Sequence, residues 1–385
     1  MNLTIHNKTI LYIVFAGILL ASCTEDDINP TVDAPETYEF ENVKYSGQTT
    51  RIQLLDSLGK LINKAKLVKV TKQELMDIYE NKEGLFTSQT DPTKYPQLKN
   101  KVAEGSSAQI EAWFQLVEDH SPMSGAVSTK NWFITPDGLD ISQLVQKTLM
   151  GSVFYYRATY DYLDPIAESD NTTVVEGEGT AMEHHWDEAF GYYGAPADFS
   201  IYTADDILKK YRDTNNNGKQ EIPSEKYYFH ANYSLTRDEA SKNFPAADQT
   251  NYRKELMDAF ILGRAAIVAK DAAVRDEART KIYDAWEKQT AASAISYMNK
   301  VKKAITENSA SLDAIDTKYH EWAEGRGFLN ALKYGINKKI SDTDWNLVSG
   351  YLGEKPADTS VEELTSAIAK LQSVYGFSDH QAANF

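Results

Sequence analysis

The chain has 385 residues, a formal net charge of −16 and a single cysteine. So acidic a chain lacks the basic surface that nucleic acid requires, and we expect no nucleic acid among its partners. A single cysteine excludes a disulfide framework, and the length suits one large domain or two of ordinary size.

The first 23 residues have the pattern of a secretory signal. Lys8 precedes an apolar run at 10–20, which is shorter than the roughly 20 apolar residues of a membrane-spanning helix. The run ends in Leu-Ala-Ser-Cys at Cys23, which resembles a bacterial lipobox. The resemblance implies that residues 1–22 are a cleaved signal peptide and that Cys23 carries lipid, palmitate included. The alternative is an N-terminal anchor helix with an incidental cysteine.

Residues 23–37 are predicted to form a lipidated tether. Pro30 and Pro35 stand among few large apolar residues, a composition typical of a flexible segment. The acidic run at 25–27 resembles the surface-export signal of Bacteroidota lipoproteins, although a solvated linker has the same composition. We expect an outer-membrane protein whose lipid anchor holds it to the membrane. If the acidic run is an export signal, the protein is also exposed at the cell surface.

Residues 38–385 are predicted to be almost entirely helical. Apolar residues recur at three- and four-residue spacing at 51–62, and Thr71 with Glu74 fits a capping box. Further helices are predicted at 107–117, 138–163, 183–193, 205–211, 312–334, 344–352 and 361–375, while 251–306 is either one long helix or two in tandem. Because strand signals are scarce, we predict an all-α domain of packed helical bundles. A loop-rich middle at 194–249 separates two halves, 38–245 and 246–385.

A pair of adjacent histidines is the first candidate site. On a helix, His184 and Glu188 are four residues apart and His185 and Glu188 three apart, so either pair projects from one face. Imidazole and carboxylate are ligands for zinc, manganese or iron ions. The alternative is an interhelical histidine with an exposed ion pair.

A second pair, His320 and Glu324, repeats the four-residue spacing in the other half of the chain. One hypothesis is that it completes a metal site with the first pair across the bundle interface. The alternative is a helix-stabilising pair worth roughly a few tenths of a kcal/mol.

Several segments carry a family resemblance. The segments are YSGQTTR at 45–51, HWDEAFGY at 185–192 and EGRGF at 324–328 with Leu332, Lys333 and Tyr334. Together they resemble a Bacteroidota lipoprotein family, the domain of unknown function 4856. The stretch at 185–194 also resembles the His-x-x-Glu segment of the imelysin-like proteins. That second resemblance implies an all-helical envelope protein and a link to iron uptake, but no catalytic residue.

A third candidate is a calcium loop. The residues at 213–218 match Asp-x-Asn-x-Asn-Gly, the first half of such a loop, but position twelve is Ser224 rather than glutamate. Calcium ligands would come from Asp213, Asn215, Asn217, the backbone of Lys219, and Glu221 or Glu225. The alternative is a polar surface turn, since the same residue types favour turns.

Three hypotheses for function follow. The first is a cell-envelope lipoprotein that binds a divalent or ferric metal ion, or a metal-containing ligand, and works with an iron or haem uptake system. The second is a metal-dependent hydrolase of peptidase type with Glu188 as base. The third is a surface scaffold that binds a protein or glycan partner through aromatic side chains. Binding is favoured over catalysis, because the sequence contains no His-Glu-x-x-His, Gly-x-Ser-x-Gly or phosphate-binding glycine loop.

Overall fold

Helices account for most of the chain that the structure describes. The computed structural model describes residues 32–125 and 128–385. Its α-helices are α1 (Ser46–Lys64), α2 (Lys72–Tyr79), α3 (Ser107–His120), α4 (Ile141–Leu149), α5 (Ala181–Tyr193), α6 (Ala204–Lys209), α7 (Phe229–Ser241), α8 (Tyr252–Ala269), α9 (Ala272–Glu307), α10 (Leu312–Ala331), α11 (Asp342–Leu352), α12 (Val361–Tyr375) and α13 (Asp379–Asn384). Over these two ranges the extended backbone forms isolated bridges and no sheet. The all-α prediction is confirmed.

The predicted signal peptide, Cys23 and most of the tether lie outside the described residues. Within 32–125 and 128–385, no helix is both long and apolar enough to cross a bilayer.

Side-chain caps fix where several helices begin. Thr71 accepts a hydrogen bond from the amide of Glu74, whose carboxylate accepts one from the amide of Thr71 at 2.7 Å. Thr180 and Glu183 repeat this capping box at the start of α5. Such boxes satisfy amides that have no partner inside the helix. The predicted capping box at Thr71 is confirmed.

The long helical stretch at 251–306 is two helices. The break falls at Lys270, whose φ of 58° is left-handed. The next residue, Asp271, caps α9 by accepting a hydrogen bond from the amide of Val274 at 3.1 Å. The sequence is compatible with one helix or two over this stretch, and the structure contains two.

The middle segment contains one helix that the sequence did not predict. α7 has the sequence FHANYSLTRDEAS, in which His, Asn, Ser and Thr all have weak helix propensity. Its buried face packs on later helices: the His230 ring lies 5.0 Å from Trp286, and the Tyr233 ring 4.6 Å from Phe328. Tertiary packing therefore forms this helix where local propensity does not.

An aromatic core joins helices from both sides of residue 245. Ring centroids are separated by 6.4 Å for Trp186 and Phe260, 6.0 Å for Phe260 and Trp286, and 5.5 Å for Tyr193 and Trp286. The indole N–H of Trp186 donates to the carbonyl of Phe260 at 2.9 Å. These side chains come from α5, α8 and α9, and residues 32–385 as a whole form one compact unit.

The helical run at 141–163 departs from α geometry. After α4, Met150–Tyr155 and Ala158–Leu163 are π-helical. A π turn holds one residue more than an α turn; such turns are rare and occur frequently at functional sites. A Cβ on Gly151 would lie 2.2 Å from the Cα of Ala331, so only glycine permits this close approach to α10.

Candidate functional site

The first predicted pair lies on α5, beside α1 and the second π-helical segment. Glu188 Oε2 is 3.8 Å from His184 Nε2. Glu188 Oε1 accepts a hydrogen bond from Gln48 Nε2 at 2.9 Å, and the same nitrogen donates to the Tyr162 hydroxyl at 3.3 Å. Gln48 is buried, so it holds the carboxylate in one position. We name this set, together with His185, the α5 cluster.

His185 has a different partner within the α5 cluster. Its Nδ1 is 2.8 Å from Ser169 Oγ. Burial lowers the pKa of His185, and the nearby Glu188 offsets that effect only in part. The ring is therefore neutral at pH 7, which is the form that binds metals. The side chains of His184 and Glu188 are 26% and 21% exposed, so solvent reaches the pair.

A buried hydroxyl adjoins the α5 cluster. Tyr192 lies one helical turn after Glu188, and its ring stacks on Tyr162 at 6.3 Å. Its hydroxyl is buried, with no hydrogen-bond partner among the residues that the structure describes. Burial raises the pKa of both tyrosines. Unpaired buried polar groups are rare and call for an explanation such as strain, catalysis or an additional bound group.

The adjoining face of α5 is tied to α8 by the ion pairs of the buried Arg264. Arg264 Nε donates to Asp187 Oδ1 at 2.9 Å, and its Nη1 donates to Glu183 Oε1 at 2.7 Å. The Tyr38 hydroxyl donates to the same Asp187 oxygen at 2.7 Å. These contacts fix the rotation of α5, which leaves His184 and Glu188 partly exposed on the next face of the helix.

The second predicted pair packs against α4. His320 Nδ1 is 2.8 Å from Asp140 Oδ2, and the imidazole stacks on Trp132 with centroids 3.8 Å apart. His320 Nε2 is 3.7 Å from Glu324 Oε2, and Glu324 Oε1 is 2.8 Å from Lys147 Nζ. Burial alone would raise the pKa of Glu324, but Lys147 and His320 lower it more strongly. Glu324 is therefore an ionised, paired carboxylate.

The two histidine pairs do not meet. No hydrogen bond, ion pair or ring contact between described residues joins them. The His184–Glu188 pair contacts α1 and residues 158–169, whereas the His320–Glu324 pair contacts α4 and Trp132. Within 32–125 and 128–385, no group of three or more His, Cys, Asp or Glu side chains is arranged to hold a metal ion. The predicted ligands thus form two separate clusters.

The loop at 213–218 is held together by its own side chains. Asp213 accepts hydrogen bonds from the amides of Asn217 and Gly218 at 3.1 and 2.9 Å. Asn215 Oδ1 accepts from the amide of Asn217 at 3.0 Å, and Asn217 Oδ1 accepts from the amide of Lys219 at 2.8 Å. The predicted oxygen ligands of the first half of the loop therefore lie together.

The two glutamates that follow have different roles. Glu221 accepts hydrogen bonds from the side-chain amides of Asn215 and Asn217 at 3.0 and 2.9 Å. Glu225 is fully buried, and its carboxylate accepts a hydrogen bond from the amide of Thr214 at 2.9 Å. Glu225 thus closes the loop from inside, whereas Glu221 lies beside the exposed oxygens.

Sequence reasoning did not assign several residues that position the candidate sites. Gln48 lies in the YSGQTTR segment, which was noted only for its family resemblance. Tyr162 lies in the helix predicted at 138–163, and the sequence assigned it no role. Asp140 and Lys147, which contact the second pair, are about 180 residues away from it in the chain. No local spacing indicates such partners.

Comparison with known proteins places the chain in a family. The sequence profile of a domain of unknown function, DUF4856, matches residues 120–367, well over half of the chain. No curated protein matches the chain, and no solved structure does. The match includes α5 with His184 and Glu188, and α10 with His320 and Glu324. The chain belongs to the DUF4856 family.

Proposed function

We propose that the chain is a lipid-anchored envelope protein whose α5 cluster binds a metal ion or a metal-containing ligand. The observation that carries the proposal is the partly exposed His184–Glu188 pair at 3.8 Å, with the neutral imidazole of His185 beside it. The lipobox-like sequence at Cys23 supports the anchor. The resemblance to Bacteroidota lipoproteins supports an outer-membrane location, and the imelysin-like segment supports a role in iron acquisition beside an iron or haem uptake system.

The composition of the α5 cluster favours a metal that keeps open coordination positions. Two imidazoles and one carboxylate would supply three ligands after a rearrangement of the side chains, one fewer than the closed tetrahedral sites of structural zinc. His184 and His185 would have to rotate toward Glu188, while Gln48 keeps the carboxylate in place. The remaining positions would be filled by water or by groups of a larger ligand, such as a chelate or a porphyrin side chain.

Metal titration of the purified chain tests the proposal. Calorimetry with Zn²⁺, Mn²⁺ and Fe²⁺ should detect binding that His184→Ala and Glu188→Gln abolish. Gln48→Ala should weaken it about 10- to 100-fold, as loss of an outer-shell partner typically does. His380→Ala is a matched control, because His380 is 39% exposed and lies 3.7 Å from the Asp248 carboxylate.

Two outcomes would change the proposal. Equal metal binding by wild type, His184→Ala and Glu188→Gln would remove the α5 cluster as the site. Chelator-sensitive peptidase activity that Glu188→Gln abolishes would favour the hydrolase hypothesis, in which metal-bound water attacks and Glu188 acts as base.

A second cation is proposed at the loop of residues 213–221. The loop brings together the side-chain oxygens of Asp213, Asn215, Asn217 and Glu221, a type of ligand that suits the hard Ca²⁺ ion. With Glu225 engaged by Thr214, Glu221 is the carboxylate left to complete the loop.

A further inference from the structure

A cleft opens beside α3, α4, α10 and α11, and no residue of the α5 cluster lines it. Its volume is about 290 Å³, and three of the six tryptophans of the chain, Trp113, Trp322 and Trp345, line it. Small-molecule sites span about 300–1,000 Å³. The cleft is therefore at the lower limit of that range, where a single ring fits and a chain of several sugars does not.

The aromatic walls of the cleft are fixed in place. The indole N–H of Trp345 donates to the carbonyl of Leu329 at 2.7 Å, and that of Trp322 donates to Thr359 Oγ1 at 2.9 Å. The Tyr334 hydroxyl, also in the lining, accepts a hydrogen bond from Ser106 Oγ at 2.6 Å. Rings held in this way lose little entropy when a ligand binds, and they offer flat faces on which another ring can pack.

The charged groups that line the cleft are two cations, Arg326 and Lys333, and one carboxylate, Glu354, although the chain as a whole is strongly acidic. Arg326 is 9% exposed and donates to the carbonyl of Ser349 at 3.0 Å and to Glu354 at 3.4 Å. The side chain of Glu354 is 88% exposed, so it compensates the guanidinium weakly. The Lys333 ammonium lies 5.1 Å above the Trp345 ring and makes no ion pair within the described ranges.

We propose that this cleft binds a small ring-bearing carboxylate, either a sugar acid or an aromatic acid. The ring would pack on Trp345 and Trp113, and the carboxylate would interact with Arg326 and Lys333. Arginine presents a planar fork that matches a carboxylate. In this structure the Glu354 carboxylate lies at 3.4 Å from that fork, in the place where the acid group of a ligand would bind.

Fluorescence titration of the purified full-length chain tests the proposal. The probes are D-glucuronate and 4-hydroxybenzoate, with D-glucose and phenol as their neutral counterparts. We expect one acid to change the tryptophan emission and its neutral counterpart to have no effect. Binding of glucuronate would assign a sugar acid, and binding of hydroxybenzoate an aromatic acid.

Variants make the test specific to the cleft. Lys333→Ala should weaken binding of the acid about tenfold, because a hydrogen bond or ion pair to a charged group is lost. Glu354→Gln should strengthen binding, because a competing carboxylate is removed. Lys130→Ala is the matched control, since Lys130 lies 5.6 Å above the Trp132 ring outside the cleft. The proposal is overturned if neither acid binds more tightly than its neutral counterpart, or if Lys333→Ala and Lys130→Ala behave alike.

Discussion

Acid should destabilise the fold through one buried histidine, His230. Its Nε2–H donates to the carbonyl of Met150 at 3.0 Å, where the run at 141–163 changes from α to π geometry. Its other nitrogen is buried without a partner among the described residues. Burial lowers the pKa of His230 to about 4, compared with about 6.5 for an unperturbed histidine. The fold therefore holds the neutral ring.

The sign and size of the effect follow from this difference in pKa. Below about pH 6.5 the unfolded chain takes up a proton at this histidine, but the folded chain does so only near pH 4. The contribution of His230 to stability is thus complete above about pH 6.5 and is lost as the pH falls toward 4. The full difference corresponds to about 3 kcal/mol of unfolding free energy, and about 2 kcal/mol of it falls between about pH 7 and about pH 4.5.

Urea denaturation at both pH values measures this loss, and His230→Gln isolates it. Glutamine keeps an N–H donor for Met150 but does not titrate between these pH values. The variant should therefore lose about 2 kcal/mol less than wild type over the same pH change, whatever its stability at pH 7. The partly exposed His380, changed to glutamine, is the control. If His230→Gln and wild type lose the same free energy on acidification, the buried neutral ring is not the cause.

Three further predictions concern other parts of the chain. Gly263→Ala should lower the unfolding free energy by about 1–3 kcal/mol, because the added Cβ would lie 2.0 Å from Cζ2 of the Trp186 ring. Gly350→Ala should instead raise the unfolding free energy by about 0.5–1 kcal/mol, because the added Cβ would have no atom within 4 Å. Millimolar calcium should raise the melting temperature of wild type but not of Asp213→Ala. Calcium must be millimolar because a site with so few charged ligands is expected to have a Kd of about 10⁻⁴–10⁻³ M. An equal rise in both proteins would mean that residues 213–218 form an ordinary turn. Wild type should fractionate with membranes and Cys23→Ala should be soluble or uncleaved, and wild type found only in the soluble fraction would contradict lipid anchoring.

Hydrophobic periodicity and capping signals were sufficient to predict most of the helices. The predicted helix at 361–375 has the bounds of α12, and the capping box at Thr71 starts α2 where expected. The sequence does not predict the break at Lys270, because alanine-rich sequence on both sides favours helix. A left-handed residue there depends on how α8 and α9 pack, which periodicity does not report.

The candidate site was predictable only as far as a single helix reaches. Four-residue spacing indicated that His184 would lie near Glu188, and the 3.8 Å separation agrees with it. The same spacing placed His320 near Glu324, at 3.7 Å. What surrounds each pair comes from distant segments: Gln48 precedes Glu188 by 140 residues. Such contacts depend on the rotation and packing of whole helices.

The helical run at 141–163 shows physically why spacing alone was insufficient. The sequence predicts one helix at 138–163, but each π turn adds a residue and rotates all later side chains by about 100° relative to a continuous α-helix. A uniform α-helix would therefore present Tyr162 on a different face and remove it from Gln48. The π geometry has no sequence signature beyond Gly151, which packs closely against Ala331 of α10. The contact between Gln48 and Tyr162 joins positions that are 114 residues apart, and it depends on both the helix geometry of this run and the packing of α1 beside it, which no local pattern encodes.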